Sequence, residues 1–279
     1  MKKIAFTKMN GAGNDFIIIT AFPKLNAKSL TKKVCNRTDG IGADGLMILD
    51  KSKKANYKMR IINADGSEAE MCGNGARCMA AYILKTKKPK RKTFSMETKA
   101  GIILAEKKGK LISVRLNDPK NYTEDITIAV NNRPLRVSYI DTGVPHVVCF
   151  VDGLDQIKIN VLGKEIRFSE KFQPRGTNVN FVEQINKNLV SVRTYERGVE
   201  AETRACGTGS VASAIVSLLK ASPKLNSKKN ATIKVKTKSG EILSVCFDLN
   251  EDQITNVWLT GSAKFIADGN FYINGGKNA

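Results

Sequence analysis

Histidine, tryptophan and long apolar runs are scarce in this chain of 279 residues, which has one histidine and one tryptophan. No apolar run approaches the roughly 20 residues that a membrane-spanning helix needs. The basic start is followed by an apolar stretch that Lys8 and Asn10 interrupt, too soon for the apolar segment of a signal peptide. The sequence therefore predicts a cytoplasmic protein that is not bound to a membrane.

Metal-binding patterns are also missing. The six cysteines lie at positions 35, 72, 78, 149, 206 and 246, and no two of them form a CxxC pair. With one histidine, a zinc site would need a thiolate cluster, and this spacing does not provide one. Because the sequence shows no export signal, we expect free thiols and no disulfide framework. No metal site is predicted.

Acidic residues are few, since 46 Lys and Arg face 26 Asp and Glu and the net charge is +20. A charge of this size is typical of proteins that bind nucleic acids. However, the densest basic run, residues 85–92, follows a predicted helix and contains Pro89, which indicates a solvated loop. Aromatic residues make up 6% of the chain and form no stacking platform with arginine. The composition favours a lysine-rich surface and no nucleic-acid site.

The chain contains one unit twice. Four pairs of segments match in register, and their offset rises along the chain from 130 to 139 residues. The rising offset is expected for a duplication followed by small insertions. The matching segments are 13–18 with 143–148, 57–60 with 190–193, 72–75 with 206–209, and 98–104 with 237–243.

The pattern of each half predicts strands followed by one apolar helix. Both predicted helices consist mostly of small and apolar residues, so we expect each to be buried with strands wrapped around it. Short runs rich in β-branched residues predict the strands. The helices are predicted at 76–85 and 210–220, and the clearest strands at 17–20, 110–116, 233–237 and 242–247.

These elements predict an α/β (α+β) fold with two similar domains related by a pseudo-two-fold axis. Each domain is expected to be a mainly antiparallel β-sheet or barrel wrapped around its central helix. The N-terminal domain is predicted to comprise residues 1–117 plus 264–279, and the C-terminal domain residues 118–263. Spacing alone leaves open whether the last strand, near 264–273, pairs back into the first domain.

Cys72 and Cys206 each stand just before a glycine-rich turn that opens a helix. A helix N-terminus lowers a thiol pKa, and it also offers backbone N–H groups to a carboxylate. Inverting an amino-acid α-carbon needs a base on one face and an acid on the other, which one thiolate and one thiol supply. A single cysteine in this position is more often a packed small residue. Two in matched positions favour proton transfer between Cys72 and Cys206.

Six stretches of the chain resemble diaminopimelate epimerases, and the resemblance runs nearly end to end. It implies a pyridoxal-independent enzyme without a cofactor that interconverts LL- and meso-2,6-diaminopimelate, a step toward lysine and cell-wall peptide. The expected partner is this small-molecule substrate, and a homodimer is compatible with a sequence that leaves the oligomeric state open. The stretches are residues 8–16, 63–68, 72–78, 175–178, 195–198 and 202–209.

The resemblance also implies roles for individual residues. Cys72 and Cys206 would carry the α-proton, and His146 and Glu196 would tune the thiols. Taken alone, a histidine in a strand-like Pro-His-Val-Val run is more often structural. The residues expected to read the amino and carboxylate groups are Asn14, Asn63, Asn178, Glu196 and Arg197, with the turns Gly73-Asn74 and Gly207-Thr208 holding the reacting carboxylate.

Three departures from the family pattern concern the distal end of the substrate. Val144 stands where an asparagine is usual, Gly45 stands where a glutamine is common, and the segment 198–202 is one residue longer. Apolar contacts discriminate more weakly than polar ones. We therefore expect looser rejection of shorter diacids, glutamate above all.

Two alternatives remain open at the level of sequence. One is another two-cysteine racemase or epimerase of the same fold, acting for example on proline derivatives, although Asn178 and Arg197 suit a second amino-acid end. The other is a basic binding module without catalytic activity, which would need neither thiol and would bind polyanions in a salt-dependent way.

Overall fold

The computed structural model describes residues 2–20, 26–251 and 253–273. The chain folds into two compact units, residues 1–114 with 261–279 and residues 115–260. The boundaries expected from the sequence lie three residues further along the chain at both junctions. None of the helices in the described part of the chain is both long and apolar enough to cross a membrane.

The first unit is a mainly antiparallel sheet with two helices. Its elements are β1 (Lys2–Gly11), β2 (Asn14–Thr20), α1 (Ala27–Val34), β3 (Gly45–Asp50), β4 (Tyr57–Asn63), β5 (Glu68–Ala69), α2 (Gly73–Thr86), β6 (Thr93–Thr98), β7 (Gly101–Lys108) and β8 (Leu111–Arg115). β1 pairs antiparallel with β2, β3 with β4, β4 with β5 and β6 with β7. The β2–β3 and β4–β6 pairs are parallel.

The second unit repeats this order of elements. Its elements are β9 (Lys120–Val130), β10 (Arg133–Asp141), β11 (Pro145–Phe150), α3 (Ile159–Arg167), β12 (Asn178–Asn186), β13 (Leu189–Glu196), β14 (Ala201–Thr203), α4 (Gly207–Ala221), β15 (Ser227–Lys236), β16 (Ile242–Asn250) and β17 (Gln253–Gly261). β9 pairs antiparallel with β10, β10 with β11, β12 with β13, β13 with β14, β15 with β16 and β16 with β17. The β11–β12 and β13–β15 pairs are parallel.

The last strand, β18 (Lys264–Ile273), belongs to the first unit. It pairs antiparallel with β1, from Lys2 opposite Ile273 to Asn10 opposite Lys264. In the second unit, β9 takes the same place beside β10. The pairing that spacing left open is therefore with the first unit. The α/β (α+β) class, with mainly antiparallel sheets, is confirmed.

Each unit packs its sheet around one buried helix. α2 packs against β1 to β4 and β7, and α4 packs against β10 to β13, β15 and β16. In α4, Val211 and Ile215 are fully buried, and burying such a side chain stabilises a fold by about 1.5–3 kcal/mol. Ser213 and Ser217 are also buried, but each hydroxyl donates to the carbonyl four residues earlier. Polar residues are tolerated in this core because their hydrogen bonds stay within the helix.

The helices and strands predicted from the sequence are present, with shifted ends. Both central helices start three residues earlier than expected, at Gly73 and Gly207. The glycine turns form the first helical turn because the preceding cysteines cap it. β15 begins at Ser227, six residues before the predicted strand, since residues 227–230 are polar and exposed and show no apolar alternation. The basic run lies mainly in the connection between α2 and β6, as expected.

Candidate active site

Cys72 is the N-cap of α2. Its backbone is extended, with φ −144° and ψ 116°, and its sulfur accepts a hydrogen bond from the Gly75 N–H at 3.5 Å. The Sγ atom also lies 3.7 Å from Asn14 Oδ1, to which a thiol can donate. The side chain is partly exposed. A cap sulfur that faces the first-turn N–H groups is stabilised as a thiolate by the helix dipole.

Cys206 caps α4 in the same way. Its φ and ψ are −110° and 115°, and its sulfur accepts from the Gly209 N–H at 3.4 Å. The Thr208 hydroxyl lies 3.5 Å from the same sulfur. Cys206 is 8% exposed, less than Cys72. The two cysteines therefore share a backbone setting, while their side-chain neighbours differ.

The first turns of both helices present backbone N–H groups beside the cysteines. Such groups have no partner within the helix and favour an anionic ligand. In α2, the Asn74 side chain points to Arg77, whose Nη2 donates to Asn74 Oδ1 at 3.0 Å while its Nη1 donates to the Gly73 carbonyl at 3.2 Å. Arg77 is fully buried. Because the Asn74 side chain binds Arg77, the groups at Gly73-Asn74 that suit a carboxylate are the backbone N–H groups.

Asn14 is oriented by a network of charges on the first unit. Its Nδ2 donates to Asp44 Oδ2 at 2.6 Å, which turns its Oδ1 toward Cys72. Arg37 binds both Asp44 and Asp15, each at 2.8 Å. Burial acts to raise the pKa of Asp15, but the hydrogen bonds from Arg37 and Lys8 outweigh it and lower that pKa. The network keeps the Asp15 carboxylate, next to Asn14 in the chain, charged.

The remaining expected substrate contacts lie at strand ends. Asn63 ends β4, is exposed, and donates to Ser67 Oγ at 3.0 Å. Asn178 begins β12, is 4% exposed, and joins two segments, since its Nδ2 donates to the Pro145 carbonyl at 3.0 Å and its Oδ1 accepts from the Arg197 N–H at 2.9 Å. These contacts fix the position of Arg197 relative to β12.

Arg197 and Glu196 lie where β13 ends. Glu196 is the last residue of the strand, and Arg197 donates through Nη1 to the Arg175 carbonyl at 2.8 Å. Both side chains are partly exposed. The lengthened segment forms the turn to β14, where Gly198 has φ 90° and Glu200 has φ 57°. The Glu200 carboxylate accepts from the Gly198 N–H at 2.9 Å and so stabilises the turn.

His146 lies on β11 and is fully buried. Burial, together with the positive charge of Arg197, lowers the pKa of His146 to about 3. Its Nδ1 is 3.1 Å from Asn180 Nδ2, and the same amide donates to the Val147 carbonyl at 2.9 Å. The Asn180 Oδ1 accepts from the Thr194 hydroxyl at 3.0 Å. His146 is therefore neutral at physiological pH and part of a buried polar cluster.

Two of the departures from the family pattern have different structural settings. Val144 lies in the turn before β11 and is partly exposed. Gly45 begins β3, and a Cβ at this position would lie 2.9 Å from the Ile62 carbonyl oxygen. A side chain at position 45 of this chain would therefore require a shift of the backbone, and the expectation that Gly45 removes a polar contact stays a prediction.

Sequence reasoning missed Asn180, Thr194 and Arg77. The first two could have been found by aligning the halves, because they stand 133 residues after Met47 and Ile61, which are apolar. Arg77 stood inside a recognised stretch, but nothing in the sequence indicated that its charge is buried.

Comparisons with known proteins identify the family. The sequence profile of the diaminopimelate epimerase family matches residues 6–119 and 138–266. A diaminopimelate epimerase of Aquifex aeolicus is 41% identical over 278 residues, covering 95% of this chain and 96% of the relative. The chain belongs to the diaminopimelate epimerase family. The diaminopimelate epimerase of Archaeoglobus fulgidus is 39% identical and covers 98% of both chains.

Solved structures show that the fold extends beyond diaminopimelate epimerases. A phenazine biosynthesis protein of the PhzF family from Bacillus anthracis has a TM-score of 0.75 at 16% identity, covering 98% of this chain and all of its own. A hydroxyproline epimerase from Agrobacterium vitis has a TM-score of 0.70 at 15% identity, covering 96% and 92%. At this identity, these likenesses show a shared fold alone.

Proposed function

We propose that this chain interconverts LL- and meso-2,6-diaminopimelate, with Cys72 and Cys206 as the proton carriers and without a pyridoxal cofactor. The observation that carries the proposal is that the two cysteines cap equivalent buried helices in a chain that belongs to this family. The product would serve lysine and cell-wall peptide synthesis.

The chemistry asks for a thiolate on one side of the α-carbon and a thiol on the other. The thiolate removes the α-proton, the C–H electron pair passes into the carboxylate as a planar carbanion, and the thiol protonates the opposite face. After one turnover, the cysteine that removed the proton is a thiol and the cysteine that donated one is a thiolate. The reverse reaction therefore uses the same two groups in exchanged roles. First-turn N–H groups would stabilise the charge that develops on the carboxylate.

Two of the other buried thiols, Cys149 and Cys35, are poorly suited to this work. Burial raises the pKa of Cys149 to about 12, and burial together with Asp15 and Asp44 raises that of Cys35 to about 12. At neutral pH, neither supplies useful amounts of thiolate. This contrast supports the assignment of the two cap cysteines.

Substrate recognition is assigned to the groups around the strand ends. The residues that would contact the substrate are Asn14, Asn63, Asn178, Glu196 and Arg197. Arg197 suits the distal carboxylate because a guanidinium binds it with two parallel hydrogen bonds. His146 would influence Cys206 as a neutral group, since its pKa lies near 3.

The test is deuterium incorporation at the α-carbon of LL-diaminopimelate in heavy water, followed by ¹H NMR. The wild-type chain should exchange this proton and form the meso isomer. Cys72→Ala and Cys206→Ala should each abolish epimerisation, because each face of the carbon needs its own carrier. Cys246→Ala, at a partly exposed thiol on β16, is the matched control and should keep full activity. Near wild-type turnover in either cap variant would refute the two-thiol mechanism.

A further inference from the structure

The side chains that lie beneath the two capping turns differ in polarity, although they stand at equivalent backbone positions. Beneath α2, a Cβ placed on Gly75 would meet Met47 Sδ at 3.0 Å, with Ile61 Cδ1 and Phe16 Cζ both at 3.5 Å. These are the neighbours of an apolar core. Beneath α4, the first atom that a Cβ on Gly209 would meet is Asn180 Oδ1.

Strand register makes the correspondence unambiguous. In the first unit, Ile18 pairs with Met47 and Met47 pairs with Ile61. In the second, Val148 pairs with Asn180 and Asn180 pairs with Thr194.

His146 stands two residues before Val148, as Phe16 stands two before Ile18. The apolar trio Phe16, Met47 and Ile61 is therefore replaced by the polar trio His146, Asn180 and Thr194. We call the second set the polar trio.

The polar trio has one arrangement of protons. The Val147 carbonyl can only accept, so the Asn180 group that lies 2.9 Å from it must be the NH₂ and not the oxygen. The same NH₂ group faces His146 Nδ1 at 3.1 Å. Nδ1 must then accept, which places the single ring proton of the neutral imidazole on Nε2.

The other contacts agree with this arrangement. The Asn180 oxygen, turned away from Val147, accepts from the Thr194 hydroxyl at 3.0 Å. A second ring proton on Nδ1 would collide with the amide donor, so Asn180 also opposes the charged imidazolium. Arg197 is the charged group that reaches His146 and acts in the same direction.

We propose that Asn180 is a positioning residue, which holds His146 as the neutral tautomer with its proton on Nε2. The buried Nε2 has no hydrogen-bond partner among the described residues, so the tautomer leaves an N–H donor, not a lone pair, on the side of the ring away from Asn180. A donor stabilises negative charge on sulfur or carboxylate, whereas a lone pair repels it. The consequence for catalysis rests on the proposed function, while the tautomer itself does not.

The chain offers a direct readout, because His146 is its one histidine. Untagged protein labelled with ¹⁵N-histidine gives a single pair of ring nitrogens in a long-range ¹H–¹⁵N correlation spectrum. We expect a protonated Nε2 and a bare Nδ1 throughout the range between about pH 5 and pH 9. A protonated Nδ1, or an imidazolium at neutral pH, in the wild-type chain would overturn the proposal without any variant.

Variants then separate positioning from packing. Asn180→Leu should give a mixture of tautomers and lower kcat in proportion to the fraction of molecules that lose the Nε2 proton, with little change in KM. Thr194→Val should keep the wild-type tautomer, since the Val147 carbonyl still orients the amide. Met47→Leu changes the equivalent position of the first unit and should leave the spectrum and kcat unaltered.

The outcomes separate this inference from the proposed function. Asn180→Leu with a wild-type spectrum and a wild-type kcat would refute the positioning role. A wild-type chain with the expected tautomer but no exchange of diaminopimelate would refute the proposed function and leave the tautomer assignment standing. If Asn180→Leu does not fold, the wild-type spectrum still decides the assignment.

Discussion

The segment leading to each cysteine is anchored by a bidentate ion pair, and the two copies differ in burial. Arg60 donates to Glu68 at 2.8 and 3.1 Å, and Arg193 donates to Glu202 at 2.7 and 2.8 Å. The side chains of the first pair are 35% and 36% exposed, and those of the second 12% and 16%. Both glutamates stand four residues before the capping cysteine.

The difference in burial predicts a difference in stability. An exposed pair contributes at most about 1 kcal/mol, because water and salt screen it. Removing one partner of a fully buried pair costs about 3–5 kcal/mol, and Arg193 also donates to the Leu154 carbonyl at 2.9 Å. For this half-screened pair we expect Glu202→Gln to lower the free energy of unfolding by about 2–3 kcal/mol, and Glu68→Gln by less than about 1 kcal/mol.

Urea unfolding followed by far-UV circular dichroism at pH 7 measures both losses by linear extrapolation. Glu68→Gln serves as the matched control, since it makes the same chemical change at the equivalent position of the other unit. Raising the salt concentration should shrink the smaller loss more than the larger one. Equal losses in the two variants, or a larger loss in Glu68→Gln, would refute the argument from burial.

The effect of pH has a definite sign. The hydrogen bond from Arg193 lowers the pKa of Glu202 below its ordinary value of 4.5. In the window between the lowered pKa and 4.5, the unfolded chain binds a proton that the folded chain does not. The stabilisation is complete above this window and is lost as the pH falls through it. The difference in the free energy of unfolding between the wild-type chain and Glu202→Gln should therefore become smaller below pH 4.5. A difference that stays constant would contradict the linkage between protonation and folding.

Three further predictions follow from the geometry of the second unit. Val144→Asn should raise the ratio of kcat/KM for diaminopimelate over glutamate about fivefold, which corresponds to about 1 kcal/mol. The absence of detectable glutamate racemisation by the wild-type chain would contradict the relaxed specificity. The pKa of His146 is lowered to about 3, so His146→Phe should change kcat but leave the pH dependence of kcat/KM unchanged between about pH 5 and pH 8. If the variant lacks an ionisation that the wild-type chain shows in this range, the histidine titrates there and the prediction is wrong. Gly209→Ala should lower kcat more than Gly75→Ala, since its Cβ meets the fixed Asn180 amide and not a flexible methionine end; equal effects would count against the polar cluster.

Much of the fold could be predicted because the informative patterns are local and occur twice. The apolar segments after Cys72 and Cys206 are long enough to be recognised as helices and not strands. The repeated glycine-rich turns indicate that the elements follow in the same order in both halves. The long hairpin of β9 and β10 escaped notice, since much of it is polar and exposed and shows little alternation. The pairing of β18 with β1 joins residues more than 250 positions apart, and no local pattern determines such a contact.

The sequence proposes the residues of the candidate site, but it could not predict their contacts. The family pattern drew attention to Asn14 and Asn178, whereas the structure shows that Asp44 orients the first and that Pro145 and Arg197 hold the second. These partners act through three-dimensional proximity. The crowding at Gly45 could not be predicted for the same reason, because it comes from a carbonyl on the neighbouring strand.

A duplicated backbone with different side chains places the two capping thiols in unequal surroundings. Both cysteines receive the same cap geometry and the same first-turn N–H groups, so the backbone gives each a similar preference for thiolate. The two sulfurs differ in their exposure and in their side-chain neighbours. Asn14 Oδ1 lies near Cys72, and the Thr208 hydroxyl lies near Cys206, above the buried polar trio. The Asn14 oxygen can only accept and so favours the thiol form of Cys72, whereas the Thr208 hydroxyl can accept from a thiol or donate to a thiolate at Cys206. The same scaffold therefore presents different hydrogen-bonding groups to its two sulfurs.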